Sequence, residues 1–273
     1  MTWLTDIIGN LFDLLVGLLG GSPFLVMLVV SAITAIWALL LFKAVTPQAR
    51  LTIVRDRLFG HIYEMGMYQD HLRVVGRIQR DLAKANLRYL GLTLPALFVL
   101  IIPMVFTMAQ LDSRFALRPF ERGETTVLSA TLADDATITL DKITLETPPS
   151  VTVEAGPVRD EVSGAVAWRL RAEDRGTHTL RLLDGTTELG SRELVVGDDL
   201  ARLGESSKRN WLHAVIYPGA PPLRGDGPLD EMTLRLPQRH TKYLGVEMHW
   251  LLAFMVFSLL AGLALKDVLR VSI

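Results

Sequence analysis

ALLLFKAVTPQARLTIVRDRL, residues 38–58, decides how this chain is read. Up to Phe42 it is a lipid-soluble helix. From Lys43 it turns basic, with apolar residues at heptad-like spacing. The mirror image follows in RIQRDLAKANLRYLGLTLPALFVLIIPMVF, residues 77–106, where a charged helix runs back into an apolar one. Together they describe two membrane spans joined by a charged helical hairpin on one side of a bilayer.

Half of the 273 residues are apolar, yet the formal net charge is only -1. These averages hide two materials. Residues 24–42, 89–108 and 246–265 are almost free of charge. Each window is about 20 residues long, enough for the roughly 30 Å hydrocarbon core at about 1.5 Å per residue. A buried helix of a soluble core seldom lacks a polar face over such a length. Residues 1–22 contain no Lys or Arg, whereas residues 43–88 hold nine, among them Lys43, Arg50, Arg55 and Arg57. Lys266 and Arg270 lie in the tail. Three spans, with the N-terminus outside and the C-terminus in the cytoplasm, satisfy these biases together. Residues 112–242 are then extracytoplasmic, since long loops translocate largely regardless of charge. The chain has no cysteine, which excludes thiolate and redox chemistry and is compatible with a bacterial periplasm.

The N-terminus lacks the basic n-region and small-residue cleavage site of a signal peptide. Instead Trp3, Leu4, Ile7, Ile8, Leu11, Leu14, Leu15 and Leu18 share one helical face, and Asp6, Asn10, Asp13 and Gly17 the other. Spanning would put two aspartates in hydrocarbon at about 2.5–3.5 kcal/mol each, so a helix lying in the outer interface is expected. Gly20-Gly21-Ser22-Pro23 then turns the chain into the first span.

In the hairpin the apolar seam is Leu51, Val54, Leu58, Ile62 and Met65, then Tyr68, Leu72, Val75, Ile78 and Leu82. The chain must return to the membrane, so a reversal is forced, and Gly66 is its expected place. Two readings compete for the hairpin. As a solvated connector, its arginines bind anionic headgroups at about 1 kcal/mol per charge. As a docking element, it captures a partner or substrate segment, helped by Met65, Met67 and Tyr68 at its tip. In the second span Pro95 and Pro103 each free a backbone carbonyl, which predicts kinks within a bundle, with Thr93 and Thr107 available as donors.

Residues 125–196 read as short strands with period-two alternation, clearest in 165–172 and 177–182, separated by turn signals at Asp134-Asp135, Pro148-Pro149 and Asp184-Gly185. This is the spacing of an antiparallel β-sandwich. DRGTHTL, residues 174–180, resembles the turn before strand F of immunoglobulin-like domains. His178 stands for the usual tyrosine, Leu180 for the cysteine, and Trp168 for the core tryptophan of strand C. Residues 197–242 are less regular, with a short helix expected in 199–215 and a final strand in 231–236. Trp211, Tyr243 and Trp250 have aromatic-belt character. His213, His240 and His249 are too scattered for a metal site, and no phosphate loop or nucleophile elbow is present. No catalytic residue, metal or cofactor is expected, and the chain reads as a non-enzyme.

The domain expectation is an interfacial helix over 1–21, spans over 22–43, 89–110 and 243–266, a cytoplasmic hairpin over 44–88, a β-domain over 111–242 and a cytoplasmic tail over 267–273. This order resembles the core of the YidC/Oxa/Alb insertase superfamily, especially its three-span members. Leu39-Leu40-Leu41-Phe42 followed by Thr46 and Gln48 resembles the end of the family's first core span. Asn86, Gly91, Leu94-Pro95 and Pro103-Met104-Val105-Phe106 resemble its hairpin-to-second-span junction. Where the family carries an arginine before the aliphatic-Phe run, this chain has Ala38, and Ser31 and Thr34 are the polar groups of the first span.

The resemblance implies an insertase-like protein or chaperone of the bacterial inner membrane. Its substrate-binding candidates are Lys43, Arg50, Arg55, Arg57, Met65, Met67, Ser31 and Thr34. Expected partners are membrane lipids, nascent or hydrophobic membrane-protein segments and an exported protein, but no nucleic acid. The alternative is a non-catalytic scaffold or assembly subunit that binds its exported partner through the β-domain.

Overall fold

The structure, a computed structural model, describes residues 2–68, 72–197 and 200–271. It combines helices with an all-β domain and divides into two compact units. One is Met1–Val26 with Phe106–Trp250; the other is Met27–Val105 with Leu251–Ile273.

The second unit is helical. Helix α1 (Thr2–Leu18), in the first unit, precedes α2 (Pro23–Val45), whose apolar sequence shows no polar side, although its burial is one-sided. Val30, Ser31, Thr34, Ala35 and Leu39 are buried, while Leu28, Ile33, Ile36 and Leu40 face outward. The turn between α1 and α2 is a Schellman closure. Gly21 N–H donates to Val16 O (2.9 Å) and Gly20 N–H to Gly17 O (3.2 Å). Both glycines sit at positive φ, 63° and 70°, where a side chain would clash with its own backbone. Pro23 then starts α2 with its φ preset and no amide to satisfy.

Helix α3 (Gln48–Met67) passes through Gly66 and ends at its C-cap, Tyr68. The expected end at Gly66 is therefore not where α3 stops; residues 69–71 lie outside the described residues, and the next element begins at Leu72. One glycine costs a helix only about 1 kcal/mol, too little to end it among good formers. The seam is closed near the start of α3, where Leu51 and Val54 are buried, and open toward the turn, where Ile62 and Tyr68 are exposed.

Helix α4 (Leu72–Phe115) is one element of 44 residues, so the returning arm and the apolar stretch are continuous through Pro95 and Pro103. Thr93 Oγ1 donates to Tyr89 O and Leu90 O, both at 3.2 Å. It does not serve Gly91 O, the carbonyl whose usual donor Pro95 removes. The outward stripe of α4 is apolar from Leu87 through Leu90, Leu94, Leu97, Ile101 and Ile102.

The last helix, α6 (Trp250–Leu265), is 16 residues long. It begins later than expected, because strands at Thr241–Tyr243 and Val246–Met248 form a hairpin in its place. The two-residue turn Leu244-Gly245 has positive φ at both positions, 53° and 84°, as a tight hairpin demands. α6 buries Ala253, Phe254 and Phe257 and exposes Leu252, Leu259 and Leu263. Lys43 Nζ donates to Leu269 O at 2.7 Å, so α2 and α6 end side by side. α2 and α4 are long and apolar enough to cross a membrane; α6 is a shorter apolar helix.

The β-domain has eight sandwich strands: β1 (Thr125–Leu132), β2 (Ile143–Glu146), β3 (Val151–Asp160), β4 (Ala165–Ala172), β5 (Gly176–Asp184), β6 (Thr187–Val196), β7 (Ser206–Lys208) and β8 (Leu229–Leu234). They form two antiparallel sheets, ordered β3-β4-β1-β8-β7 and β2-β5-β6. Alternate residues of both sheets fill one core, including Leu128, Trp168, Leu170, Leu180, Leu194 and Met232. Strand β8, the sequence's weakest strand signal, sits inside the larger sheet between β1 and β7. The helix expected in 199–215 is only α5 (Trp211–Ile216), preceded by β7.

Two observations bear on the corner at residues 174–180. His178 Nε2 lies 2.8 Å from Asp174 O, four residues back, and its Nδ1 lies 2.8 Å from Ser150 Oγ. His178 thus reaches back to the turn that precedes β5. Trp168 is buried, but β4 pairs with β1 and β3, not with β5 as a strand-C tryptophan would require.

Two carboxylates tie the domain together at its edges. Glu124 accepts from Arg118 Nη1 (2.9 Å) and Nη2 (3.0 Å), and Glu231 accepts from Ser206 Oγ (2.5 Å). Burial acts to raise both pKa values, but the hydrogen bonds and the Arg118 and Lys208 charges outweigh it and hold both below 4.5. A folded pKa below the unfolded one contributes stability that is present above the unfolded value and lost as pH falls through the folded one. The melting temperature of the full chain in detergent should therefore fall as pH drops below about 4.5, and Glu124→Gln with Glu231→Gln should flatten that acid limb. An unchanged acid limb in the double variant would contradict the assignment.

Candidate functional site

The chain's least expected side chain is Arg114, the penultimate residue of α4 and fully buried. An unpaired buried charge would be strongly destabilising, so its partners matter. Nη1 donates to Gln110 Oε1 (2.7 Å), Gln110 O (3.2 Å) and Ser113 Oγ (3.3 Å). Nη2 donates to Gly9 O (3.1 Å) and to the Asp13 carboxylate, both on α1. Arg202 reaches the other Asp13 oxygen at 3.1 Å, so one carboxylate bridges two guanidiniums. The Phe12 ring lies 5.4 Å from the Arg114 guanidinium carbon, within cation–π range.

Gly9 is part of the clasp. A Cβ there would run into the Arg202 guanidinium, so only glycine lets Arg202 lie across the helix. On α1 Gly9 is buried, Ile8, Phe12, Leu15 and Val16 are half-buried, and Ile7, Asn10, Leu11, Asp13, Leu14 and Leu18 are exposed. Asp13 is thus not simply solvated, as an isolated interfacial helix would have it; it is the acceptor of the clasp.

Beside the clasp, Asp112, Ser113, Glu205, Ser206, His213 and Tyr217 line a cleft of about 300 Å³. Burial, then the Lys208 charge, lowers the His213 pKa below 6.5, leaving a neutral imidazole 4.9 Å from the Tyr217 ring. Ser113 Oγ donates to Gln110 O and Ser206 Oγ to Glu231, so neither hydroxyl is oriented by an imidazole. A second cleft, of about 380 Å³, holds Arg239, His240, Thr241, Glu247 and His249. Among the described residues no three His, Cys, Asp or Glu side chains converge as a metal site.

The sequence's substrate-binding candidates do not converge on one groove. Ser31 and Thr34 are buried within α2, one turn apart. Lys43 caps the chain after α6. Arg55 is half-buried beside Asp56 (3.6 Å), and Arg50 and Arg57 are exposed. Met65 is half-buried, while Met67 is 78% exposed. Pro95 lies exposed on α4 and Pro103 is half-buried. The clasp itself went unread because Asp13 and Arg114 are 101 residues apart. The available hint was an aspartate on the polar side of α1 and an arginine at the end of a span.

Removing Asp13 leaves Arg114 buried with its charge uncompensated. Because Asp13 is half-exposed, a loss of about 2 kcal/mol is expected for Asp13→Ala, below the about 3–5 kcal/mol typical of fully buried pairs. Hydrogen exchange should then accelerate across α1 while β1 and β4 keep their protection. Equal protection of α1 in the variant would show that the clasp does not hold the helix.

No protein-family model, curated protein or solved structure matches this chain.

Proposed function

We propose that the chain is a membrane-protein insertase-like chaperone of the YidC/Oxa/Alb type, resident in a bacterial cytoplasmic membrane with its N-terminus and β-domain outside. α2, α4 and α6 span the bilayer, their outward apolar stripes against lipid. α1 lies in the outer interface, with Ile7, Leu11, Leu14 and Leu18 in the acyl boundary and Asp13 turned inward.

The observation that carries this reading is the length of α6. Its 16 residues span about 24 Å, against about 30 Å of hydrocarbon. Glu247 and His249 precede it and Lys266 and Asp267 follow it, so the apolar length has no slack. A bilayer fitted to such a helix thins locally. A thinned bilayer lowers the barrier for the polar flank of an incoming segment, which is the physical task of an insertase. The small and hydroxylated inner faces, Ser31, Thr34 and Ala35 on α2 with Thr93 and Ala96 on α4, provide a less apolar interior.

The second reading, a scaffold subunit, is favoured by the closure of Ser31 and Thr34 inside α2's packed face and by the clasp that fixes α1. Its β-domain, an immunoglobulin-like sandwich by its two-sheet core and its His178 corner, would hold an exported partner.

Proteoliposomes separate the two. The purified chain should raise the protease-protected fraction of a single-span client with a short acidic flank severalfold over empty liposomes. Lengthening α6 by four leucines should remove most of that gain. Insertion no better than in empty liposomes would sink the insertase reading.

A further inference from the structure

The cleft that precedes α6 lies within the first unit, and hydrogen bonds fix its walls. Residues 237–239 are laced to the chain just after α4. Arg118 N–H donates to Pro237 O (3.0 Å) and Arg239 N–H to Ala116 O (2.9 Å). Leu117 pairs with Gln238 between them, and Arg239 Nε donates to Leu117 O at 3.1 Å. The other wall is the hairpin, which sets Thr241 opposite Met248 and Lys242 opposite Glu247. Tyr243, fully buried, anchors that hairpin.

The lining is rich in donors. Arg239 brings a guanidinium, and Gln238 and Thr241 add an amide and a hydroxyl. His240 and His249 each present at least one ring N–H in either tautomer. Among the described residues Glu247 is the one acid of the lining, and Lys242 Nζ answers it across the strand pair at 3.5 Å. Asp112 acts electrostatically on His249, but it lines the neighbouring cleft with Glu205. Burial lowers the Arg239 pKa, and the Arg118 guanidinium pushes it the same way, so an anion in the cleft would relieve both.

From this cleft we infer a binding site for a phosphate group, supplied by the headgroup of an anionic phospholipid. A guanidinium flanked by ring, amide and hydroxyl donors matches the oxygens of a phosphate. A volume of about 380 Å³ suits a headgroup. A zwitterionic headgroup fits less well, because the acid its ammonium would seek, Glu247, is already held by Lys242.

Two neighbours favour lipid over free phosphate as the source. His249 is followed at once by Trp250 and α6, an apolar helix with Leu252 and Leu259 exposed. Leu244 and Val246, at the tip of the same hairpin, are 80% and 59% exposed. Acyl chains would cover that surface and free phosphate would leave it in water. Lipid as the source rests on the reading of α6 as a membrane span; phosphate as the ligand does not.

Native mass spectrometry of the full chain in non-ionic detergent reads the binding of phosphatidylglycerol, phosphatidylcholine and inorganic phosphate. Phosphatidylglycerol should bind at least about tenfold tighter than phosphatidylcholine. Arg239→Gln should weaken it by a similar factor. Because Arg239 also braces Leu117 O, a second variant changes two exposed positions, His240→Ala with His249→Ala. It should weaken binding severalfold while circular dichroism and melting temperature stay at wild type. Leu244→Asn with Val246→Thr should weaken the lipid and leave inorganic phosphate unaffected, and Arg50→Gln with Arg57→Gln, on α3, should change neither. Equal binding of the two lipids, wild-type binding by both cleft variants, or an equal loss in the α3 variant overturns the proposal. Inorganic phosphate bound as tightly as phosphatidylglycerol assigns the cleft to free phosphate and overturns the lipid source. Client insertion separates the two levels. Binding without insertion upholds the cleft against the insertase reading, whereas insertion by a chain that binds both lipids equally removes the cleft alone.

Discussion

A guanidinium with no exposed surface has to be neutralised where it lies, and the first unit is arranged around that requirement. Arg114 is the largest fully buried side chain of the protein. Its charge is answered by Asp13, its terminal Nη donors also by the carbonyl of Gly9 and by Gln110, and Asp13 in turn by Arg202, while Nε is buried without a hydrogen-bond partner among the described residues. The consequence is directional. The clasp turns Asp13 toward Arg114 while its carboxylate stays half-exposed, and Ile7, Leu11, Leu14 and Leu18 of α1 remain exposed.

The helical unit also leaves apolar surface open. α2 and α6 have apolar residues on every side, yet each is buried along one stripe only. A soluble core cannot leave such faces open without a partner. Lipid is the partner proposed for the open faces of α2, α4 and α6.

Legibility in the sequence followed the range of the interaction. Charge-free windows and period-two alternation are local, so α2, the apolar half of α4 and strands β4 and β5 were readable. The seam was readable near Leu51 and Val54, where it closes, but its pattern continued past the point where burial stops. The prolines of α4 predicted kinks, and the helix runs through both of them as one element. Pairings across long separations left no signal. Asp13 with Arg114, Asp13 with Arg202, and the insertion of β8 between β1 and β7 all depend on where distant segments meet. Of the site candidates, Met67 and the arginines of α3 were found at the surface, while Ser31 and Thr34 turned out to be interior.

The proposed topology, with the hairpin and the β-domain on opposite sides of a membrane, is the claim to test. The chain has no cysteine of its own, so single introduced thiols report position without background. Val162, 99% exposed in the turn after β3, and Met67, 78% exposed at the end of α3, are the two probes. In intact spheroplasts a membrane-impermeant maleimide should label Val162→Cys fully and Met67→Cys only after permeabilisation. Labelling of both from outside, or of Met67→Cys alone, would contradict the account.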